Sequence, residues 1–238
     1  MKIFAHRGFS HKYPEATRAA YEGAIAAQSD GLECDVRLTQ DNQIVCFHDR
    51  TTKQFNGKTK SISKITLDEL RQISDVITLD ELLEIALNGK QDLLIETKHP
   101  TKKRGRIERE VMALLKTKEN EIQSAGIRII VMSFSNFAVQ RIRAQYPDVA
   151  KVVKYVIPAL VSREKNLVII PALVSREKNL VIEIGMLRRY SWLLQLNKAD
   201  CILVWTVNSR KDLHWVASRE IYGVITDRVI RAKKILAS

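Results

Sequence analysis

The sequence predicts a (β/α)8 barrel, the α/β fold in which eight parallel strands form a closed inner sheet beneath a layer of helices. Short apolar runs rich in β-branched residues alternate with amphipathic stretches along the chain, which is typical of βαβ units. These runs are apolar on both faces, as strands of a covered parallel sheet are. The length of 238 residues suits one such domain over residues 1–238, and the number of repeats favours a closed barrel over an open sheet.

Strand and helix candidates alternate in chain order. The strand candidates are Lys2–Ala5, Gly31–Leu38, Ile44–Phe47, Leu93–Thr97, Arg128–Ser133, Lys151–Ile157, Cys201–Val207 and Gly223–Thr226. The helix candidates are Ala16–Gln28, Thr78–Leu87, Arg106–Thr117, Asn136–Gln145, Met186–Leu196, Lys211–Ser218 and Arg228–Leu236. Thr78 is placed to cap its helix, with Glu81 at the third helical position.

Two segments interrupt the alternation. Arg37–Ile65 contains two turn signals, and we interpret residues 38–65 as an insertion after the second strand, over the end of the barrel where active sites lie. Residues 157–169 read IPALVSREKNLVI, and residues 170–182 repeat the same letters. Only one copy fits the fifth-to-sixth strand region of a barrel, so the other must loop out or form an extra strand.

The composition limits the classes of binding partner and the cellular compartment that we expect. The formal net charge of +12 attracts phosphate esters, nucleic acids or anionic membrane surfaces, unless it serves solubility alone. For the basic run Lys102–Arg106 there are three interpretations: it steers anionic substrates, it contacts a lipid surface weakly, or it is a solvated loop. It lacks interleaved aromatic residues, which argues against a nucleic-acid-binding groove. Three cysteines without a C-x-x-C motif, and no long apolar run, predict reduced buried thiols and a cytoplasmic protein. The oligomeric state is not indicated.

Three acidic residues lie on two apolar strand candidates. Glu33 and Asp35 are two positions apart, so their side chains share one face of the strand. Two carboxylates inside an apolar strand repel each other unless a positive group lies between them. Either a bound cation or neighbouring Lys and Arg side chains meets this need. Glu96 offers a third oxygen ligand, and an all-carboxylate set favours Mg²⁺ or Ca²⁺ over Zn²⁺.

Histidines and cations follow similar strands. His6 ends the first strand candidate and His48 ends the run in the insertion, each beside a charged residue, Arg7 or Asp49. Histidine is suited to proton transfer near neutral pH, although a lone histidine at a strand end is more often structural. Arg7 offers donors matched to phosphate oxygens, and Lys98 can meet an anion.

These residues, taken in order, resemble the signature of the glycerophosphodiester phosphodiesterase family. The matching runs are His6-Arg7-Gly8, Pro14-Glu15, Glu33-Cys34-Asp35, His48-Asp49, Glu96-Thr97-Lys98, Ser133-Phe134, Val204-Trp205-Thr206-Val207-Asn208 and Gly223-Val-Ile-Thr-Asp227. The resemblance covers residues 1–148 and 200–228 well and the middle of the chain poorly.

The resemblance implies a barrel that cleaves glycerophosphodiesters to glycerol 3-phosphate and an alcohol. It implies the following roles: Glu33, Asp35 and Glu96 hold one divalent cation, Mg²⁺ or Ca²⁺; His6 and His48 are the general acid and base; Arg7 and Lys98 bind the phosphate; Trp205 lines the glycerol pocket; and Glu15 and Asp49 support their neighbours. A lysophospholipase D-like activity on membrane lipids and a non-catalytic barrel that binds a phosphate-bearing ligand are the alternatives.

One departure from the family pattern bears on the alternatives. The family usually reads Pro-Glu-Asn-Thr where this chain has Pro14-Glu15-Ala16-Thr17. An asparagine at residue 16 is able to cap a helix or bond a neighbour, and alanine does neither. If the asparagine is a cap, its loss costs about 1 kcal/mol of stability; if it supports the site instead, its loss lowers activity. All the charged and histidine elements remain, which favours an active enzyme.

Overall fold

Eight parallel strands close into a barrel, as the sequence predicts. The computed structural model describes residues 1–53, 57, 59–99, 105–146, 148–154, 178–192, 194 and 199–237. The strands are β1 (Lys2–His6), β2 (Gly31–Leu38), β3 (Ile44–Cys46), β4 (Asp92–Thr97), β5 (Ile129–Ser133), β6 (Val149–Val153), β7 (Asn179–Glu183), β8 (Cys201–Trp205) and β9 (Gly223–Thr226). All but β3 pair in parallel around the barrel, and β1 closes it by pairing with both β2 and β9.

The insertion after β2 begins as an antiparallel excursion. Strand β3 pairs with the end of β2, Val36 opposite Cys46, so it extends the sheet outside the barrel. A 3-10 turn at Ile62–Lys64 follows, and then a short helix that the sequence analysis does not predict, α2 (Leu67–Arg71). Thr66 caps this helix through a reciprocal pair of hydrogen bonds with Glu69.

The second copy of the repeat supplies a barrel strand. Strand β7 begins at Asn179, so its first four residues are the last four of residues 170–182. It hydrogen-bonds in parallel with β6 on one side and β8 on the other. The first copy lies outside the described residues, as does the end of the predicted strand Lys151–Ile157, which is observed at Val149–Val153.

Helices cover the outside of the barrel. They are α1 (Arg18–Ala26), α3 (Leu79–Asn88), α4 (Arg106–Thr117), α5 (Glu119–Ala125), α6 (Asn136–Arg143), α7 (Ile184–Arg189), α8 (Arg210–Ala217) and α9 (Val229–Leu236). Thr78 and Glu81 form the predicted capping box of α3. Helix α7 begins before the predicted Met186 and ends at Arg189, well before the predicted Leu196; its cap is the Glu183 side chain, which accepts from Gly185 and Met186.

The alternation of side chains along each strand separates two apolar layers. Outward residues such as Leu32, Cys34 and Val36 pack against the helices. Inward residues such as Phe4 and Leu94 fill the barrel together with side chains from the later strands. The three cysteines are free and buried, as predicted. Across the described residues, no helix has the length and apolar character needed to cross a bilayer.

Candidate active site

Three carboxylates converge above the apolar filling of the barrel. Glu33 and Asp35 point inward from β2, and Glu96 follows the inward Leu94 on the adjacent β4, where it pairs with Asp35. One oxygen from each carboxylate lies within 4.8 Å of the others, and all three side chains are buried. They lie at the carboxyl ends of the strands, which is the end where barrel enzymes carry their active sites.

Two cations partly neutralise this acidic cluster. Lys98 Nζ lies 2.8 Å from Asp35 Oδ1 and 2.6 Å from Glu96 Oε1. Arg7 Nε lies 2.9 Å from Asp35 Oδ2. Burial opposes ionisation of Asp35, but Lys98 and Arg7 outweigh it and lower the pKa of that carboxyl. The negative charge of the two glutamates is less well compensated by nearby cations. Burial and the neighbouring Asp35 charge therefore raise the pKa of Glu33 to about 7 and that of Glu96 to about 8.

A sharp turn after β1 aims Arg7 at the cluster. Arg7 has φ of 55°, and the next residue, Gly8, has φ of 81°, so the backbone reverses through the left-handed region that glycine adopts without strain. The Arg7 N–H donates to the Glu33 carbonyl at 3.0 Å and to Glu33 Oε2 at 3.1 Å. Nη1 donates to both oxygens of Glu15, at 3.0 and 2.9 Å. Glu15 therefore holds the guanidinium in place from the solvent side.

His6 is oriented by an acid that the sequence analysis assigns no role. Its Nδ1 lies 2.7 Å from Asp227 Oδ1, and its Nε2 faces Glu33 Oε2 at 4.0 Å. Asp227 is itself fixed by Ser10 and Asn208, whose side chains donate to it at 3.1 and 2.5 Å. Burial lowers the pKa of His6, but the bond with Asp227 and the charge of Glu33 outweigh burial and raise it overall. The signal for this pair was the acid directly after the last strand.

His48 approaches the cluster from the insertion. Its Nδ1 lies 2.8 Å from Asp49 Oδ1, and its side chain is 37% exposed. The Arg37 guanidinium donates to the His48 carbonyl from Nε at 2.9 Å and from Nη2 at 2.7 Å, which ties this loop to β2. Burial lowers the pKa of His48, although Asp35 acts in the opposite direction.

These groups line one cavity of about 350 Å³, which we call the rim cavity. His6, Arg7, His48, Lys98 and the three carboxylates form its polar side. Trp205 and Phe134 meet edge to face on the other side, with ring centroids 5.7 Å apart. Trp205 Nε1 is buried and has no hydrogen-bond partner in the part of the chain that the structure describes. Lys154 also lines the cavity, 5.7 Å from the Trp205 ring centroid.

Comparison with known proteins places the chain in a family. The family model described as the glycerophosphoryl diester phosphodiesterase family matches residues 6–231. The chain belongs to this family. A relative from Mycobacterium tuberculosis named "Probable glycerophosphodiester phosphodiesterase 1" is 35% identical over 166 residues, and the match spans 61% of this chain and 61% of the relative.

Solved structures of the family share the barrel. A glycerophosphodiester phosphodiesterase from Thermotoga maritima is 25% identical, with a TM-score of 0.77 over 99% of this chain and 98% of that chain. An Oleispira antarctica phosphodiesterase, solved with its product sn-glycerol-3-phosphate, is 22% identical and has a TM-score of 0.77 over 100% of this chain and 97% of that chain. At such identity, the second structure supports the fold alone.

The acidic cluster of this family member fits a hard divalent cation. All three donors are carboxylates, which Mg²⁺ and Ca²⁺ prefer. Asp35 Oδ2 is buried and accepts no hydrogen bond from a described residue, because the nearby Arg7 Nε is not aligned for one. Arg7 thus offers this oxygen charge but no hydrogen bond, and a bound cation would supply the missing direct ligand to its lone pairs.

All ten residues predicted for the site lie at the rim cavity or against a residue that lines it. Glu15 and Asp49 make contact through Arg7 and His48. The helix cap expected at residue 16 was wrong, because Thr17 caps α1 by accepting from the Ala20 N–H. Ala16 instead has φ of 59°, and its N–H donates to the Arg7 carbonyl at 2.9 Å. Asn208 and Asp227 belong to the matching family runs but were given no role from the sequence, and Lys154 was not predicted at all.

Proposed function

We propose that this protein hydrolyses glycerophosphodiesters to glycerol 3-phosphate and an alcohol, with one Mg²⁺ or Ca²⁺ ion. The observation that carries the proposal is the convergence of three carboxylates, two histidines and two phosphate-matched cations in one cavity. Family membership supports the reaction class, and the names of the relatives support the substrate class. The product found in the Oleispira antarctica structure is the product expected here.

Charge complementarity binds the phosphodiester in this proposal. Glu33, Asp35 and Glu96 would hold the cation, which polarises a phosphoryl oxygen as a Lewis acid when bound. Arg7 and Lys98 lie beside the same carboxylates, so their N–H groups are positioned to donate to the other phosphoryl oxygens. A buried site of this kind stabilises the charge that develops on phosphorus substituents more strongly than water does.

Two histidines share the proton transfers. The nucleophile is either water or the substrate's own glycerol hydroxyl; it loses its proton to one imidazole as its oxygen attacks phosphorus. The bond from phosphorus to the leaving alcohol breaks, and the other imidazole donates a proton to that alcohol oxygen. Attack by water gives glycerol 3-phosphate directly, whereas attack by the glycerol hydroxyl gives a cyclic phosphate, which a water molecule then opens to glycerol 3-phosphate with the two imidazoles in exchanged roles. Asp227 and Asp49 each contact the Nδ1 atom of their histidine, so Nε2 is the atom left to act on the substrate.

The aromatic side of the rim cavity suits the glycerol group. Trp205 and Phe134 offer flat apolar faces to the carbon chain. The indole Nε1 of Trp205, which lacks a partner in the described residues, is positioned to donate to a glycerol hydroxyl. Three buried free thiols support a reducing compartment such as the cytoplasm.

The direct test is release of glycerol 3-phosphate from glycerophosphocholine by protein freed of metal. We expect turnover on addition of Mg²⁺ or Ca²⁺ and none in excess EDTA. Thermal stabilisation by glycerol phosphate without any product after prolonged incubation would instead support the non-catalytic binding barrel.

Substitution of the histidines tests their roles. We expect His6→Ala and His48→Ala each to lower kcat by roughly 10²- to 10⁴-fold, because each removes an acid or base, while circular dichroism stays unchanged. His214→Ala, on the exposed face of α8, is the matched control and should keep full activity. Full turnover in both site variants would refute the assignment.

One observation favours lysophospholipids as a second substrate class. Phe137, in the first turn of α6, is 74% exposed, and that helix follows the rim residue Phe134. An exposed aromatic side chain near the active end, on a protein of net charge +12, suits contact with an anionic lipid surface. Salt-sensitive sedimentation with anionic liposomes that is lost in Phe137→Ser would support this class.

A further inference from the structure

A second cavity, of about 170 Å³, lies beside the rim cavity; we call it the basic pocket. The end of β2 and the turn after it form one wall, and the 3-10 turn of the insertion forms another. The first turn of α4 completes it. Its charged lining residues are Arg37, Arg50, Lys64, Lys98 and Arg106, and no acidic residue occurs among the described residues that line it.

The nearby acids are already engaged. Asp41 accepts from the Thr39 hydroxyl at 2.6 Å and from the Leu67 N–H at 3.2 Å. Glu110 pairs with Arg106 at 3.3 Å. In contrast, the side chains of Arg50 and Lys64 are exposed and make no ion pair with any residue that the structure describes. The basic pocket therefore holds positive charge, on Arg50 and Lys64, that no acid among the described residues neutralises.

The basic pocket adjoins the proposed reaction centre. Lys98 lines both cavities. Arg37 lies two residues after Asp35 on the same face of β2. Its guanidinium donates to the His48 carbonyl, which fixes that group next to the rim cavity. A diester held by its phosphate at Lys98 can extend its alcohol part toward these cations. The Ser61 and Ser63 hydroxyls in the lining bond each other at 3.1 Å and leave one O–H as a neutral donor for the same group.

We propose that the basic pocket binds a phosphate on the alcohol part of the substrate, so the preferred substrates are glycerophosphodiesters with a phosphorylated polyol head group. This inference rests on the proposed function and names its substrate class. A choline head group would meet like charge there, whereas a phosphate would gain charge-assisted hydrogen bonds from arginine.

The test compares two substrates that differ by one phosphate. Glycerophosphoinositol and glycerophosphoinositol 4-phosphate are assayed with the metal-loaded protein, and glycerophosphocholine serves as a cationic reference. We expect kcat/KM for the phosphorylated ester to exceed that for glycerophosphoinositol by about tenfold, which is the order of a charge-assisted contact. Equal values for the two inositol esters would overturn the proposal.

The double variant Arg50→Gln/Lys64→Gln locates the effect. It should lose most of the preference for the phosphorylated ester and keep its activity on glycerophosphocholine. The matched control is Lys116→Gln/Lys234→Gln, which removes the same charge from the last turns of α4 and α9, at the opposite end of the barrel. The control should keep the preference. An equal loss in both variants would mean that net charge alone attracts the substrate, and would overturn the pocket.

Two further measurements distinguish a substrate pocket from a free-anion site and from a barrel without turnover. The first measures glycerophosphocholine turnover with added inorganic phosphate. If phosphate changes turnover in the native protein but not in the Arg50/Lys64 variant, the pocket is a free-anion site and the substrate inference is overturned. If the metal-loaded protein cleaves neither inositol ester, the hydrolysis proposal fails, and calorimetry then measures their binding. Tighter binding of the phosphorylated ester that disappears in the Arg50/Lys64 variant supports the pocket even then, and equal binding refutes it.

Discussion

The two ends of the barrel both carry charged clusters, but only one end balances them. At the amino ends of the strands, Arg128 bonds Asp148 through Nε at 2.6 Å and through Nη2 at 2.9 Å. Asn179 donates to Asp148 at 2.8 Å, and Arg128 N–H donates to Asp92 at 2.8 Å. Lys2 pairs with the other oxygen of Asp92. Every carboxylate named here has a cation or an amide donor facing it.

At the carboxyl ends of the strands, the acidic side chains are not balanced in this way. Glu33, Asp35 and Glu96 lie within 4.8 Å of one another, and burial and mutual repulsion raise the pKa of both glutamates. A paired network stabilises a fold, whereas uncompensated charge costs stability and is kept where a ligand uses it. The balance of charge, rather than the presence of charge, therefore distinguishes the structural end of this barrel from its functional end.

The largest expected effect comes from removing one acid of the unbalanced cluster. Glu96→Gln keeps the shape of the side chain but removes a proposed cation ligand, so we expect kcat to fall about a thousandfold, in line with several kcal/mol of Lewis-acid stabilisation. In metal-free protein the melting temperature should stay level or rise, because repulsion with Asp35 is relieved. A variant that loses stability in step with activity would show that this end is structural too.

Arg128→Ala tests the balanced end. It leaves Asp148 without its guanidinium partner, and we expect the free energy of unfolding to fall by about 3 kcal/mol, as for lost hydrogen bonds to charged groups. Activity per folded molecule should not change. Arg128→Lys keeps the charge but loses the two-pronged geometry, so an intermediate loss in urea unfolding is expected. A large fall in kcat without loss of stability would contradict the comparison.

Glu108 is a buried acid near the functional end whose Oε1 is paired with two basic side chains, although its Oε2 has no hydrogen-bond partner among the described residues. Arg141 Nη2 and His99 Nε2 lie 2.5 and 3.3 Å from its Oε1. Burial opposes ionisation, but these contacts lower the pKa of Glu108 to about 2. A depressed carboxyl pKa adds stability above its ordinary value near 4.5, and this stability is lost as pH falls toward 2.

Glu108→Gln should therefore lower the free energy of unfolding by roughly 2–3 kcal/mol at pH 7. The gap between variant and native protein should begin to close below about pH 5, which urea unfolding at a series of pH values measures. A gap that stays constant with pH would show that Glu108 contributes packing rather than charge. Asp80→Asn, an exposed acid in the first turn of α3, is the control and should show a small effect.

The smallest expected effect concerns backbone strain at the rim. Ala16 has φ of 59°, a conformation that alanine adopts at a cost of about 1 kcal/mol and that asparagine tolerates better. Ala16→Asn should raise the free energy of unfolding by about 0.5–1 kcal/mol. Ala19→Asn, at an exposed helical position of α1, should instead lower it slightly. Destabilisation by both changes would show that residue 16 is not strained.

Local patterns predicted the elements better than their partners. The strand β2 was predicted with its observed bounds, and the capping box of α3 was predicted from Thr78 and Glu81 alone. Both depend on residues close together in sequence. The short helix α2 escaped prediction because its five residues bury only Leu70, so no helical period could be read from it. The partnership of His6 and Asp227 spans 221 residues, and no local pattern records such a distance.

The alternation of strands and helices can be read from the sequence alone, because strands repeat every two residues and helices every 3.6. The strand period also predicts that Glu33, Asp35 and Glu96 point to one side of their strands. That the second of two identical repeat copies supplies β7 is known from its pairing with β6 and β8 in three dimensions, because the two copies have the same local propensities. The charge balance at each end was also decided by the tertiary structure, because it depends on distances between residues that the chain order separates.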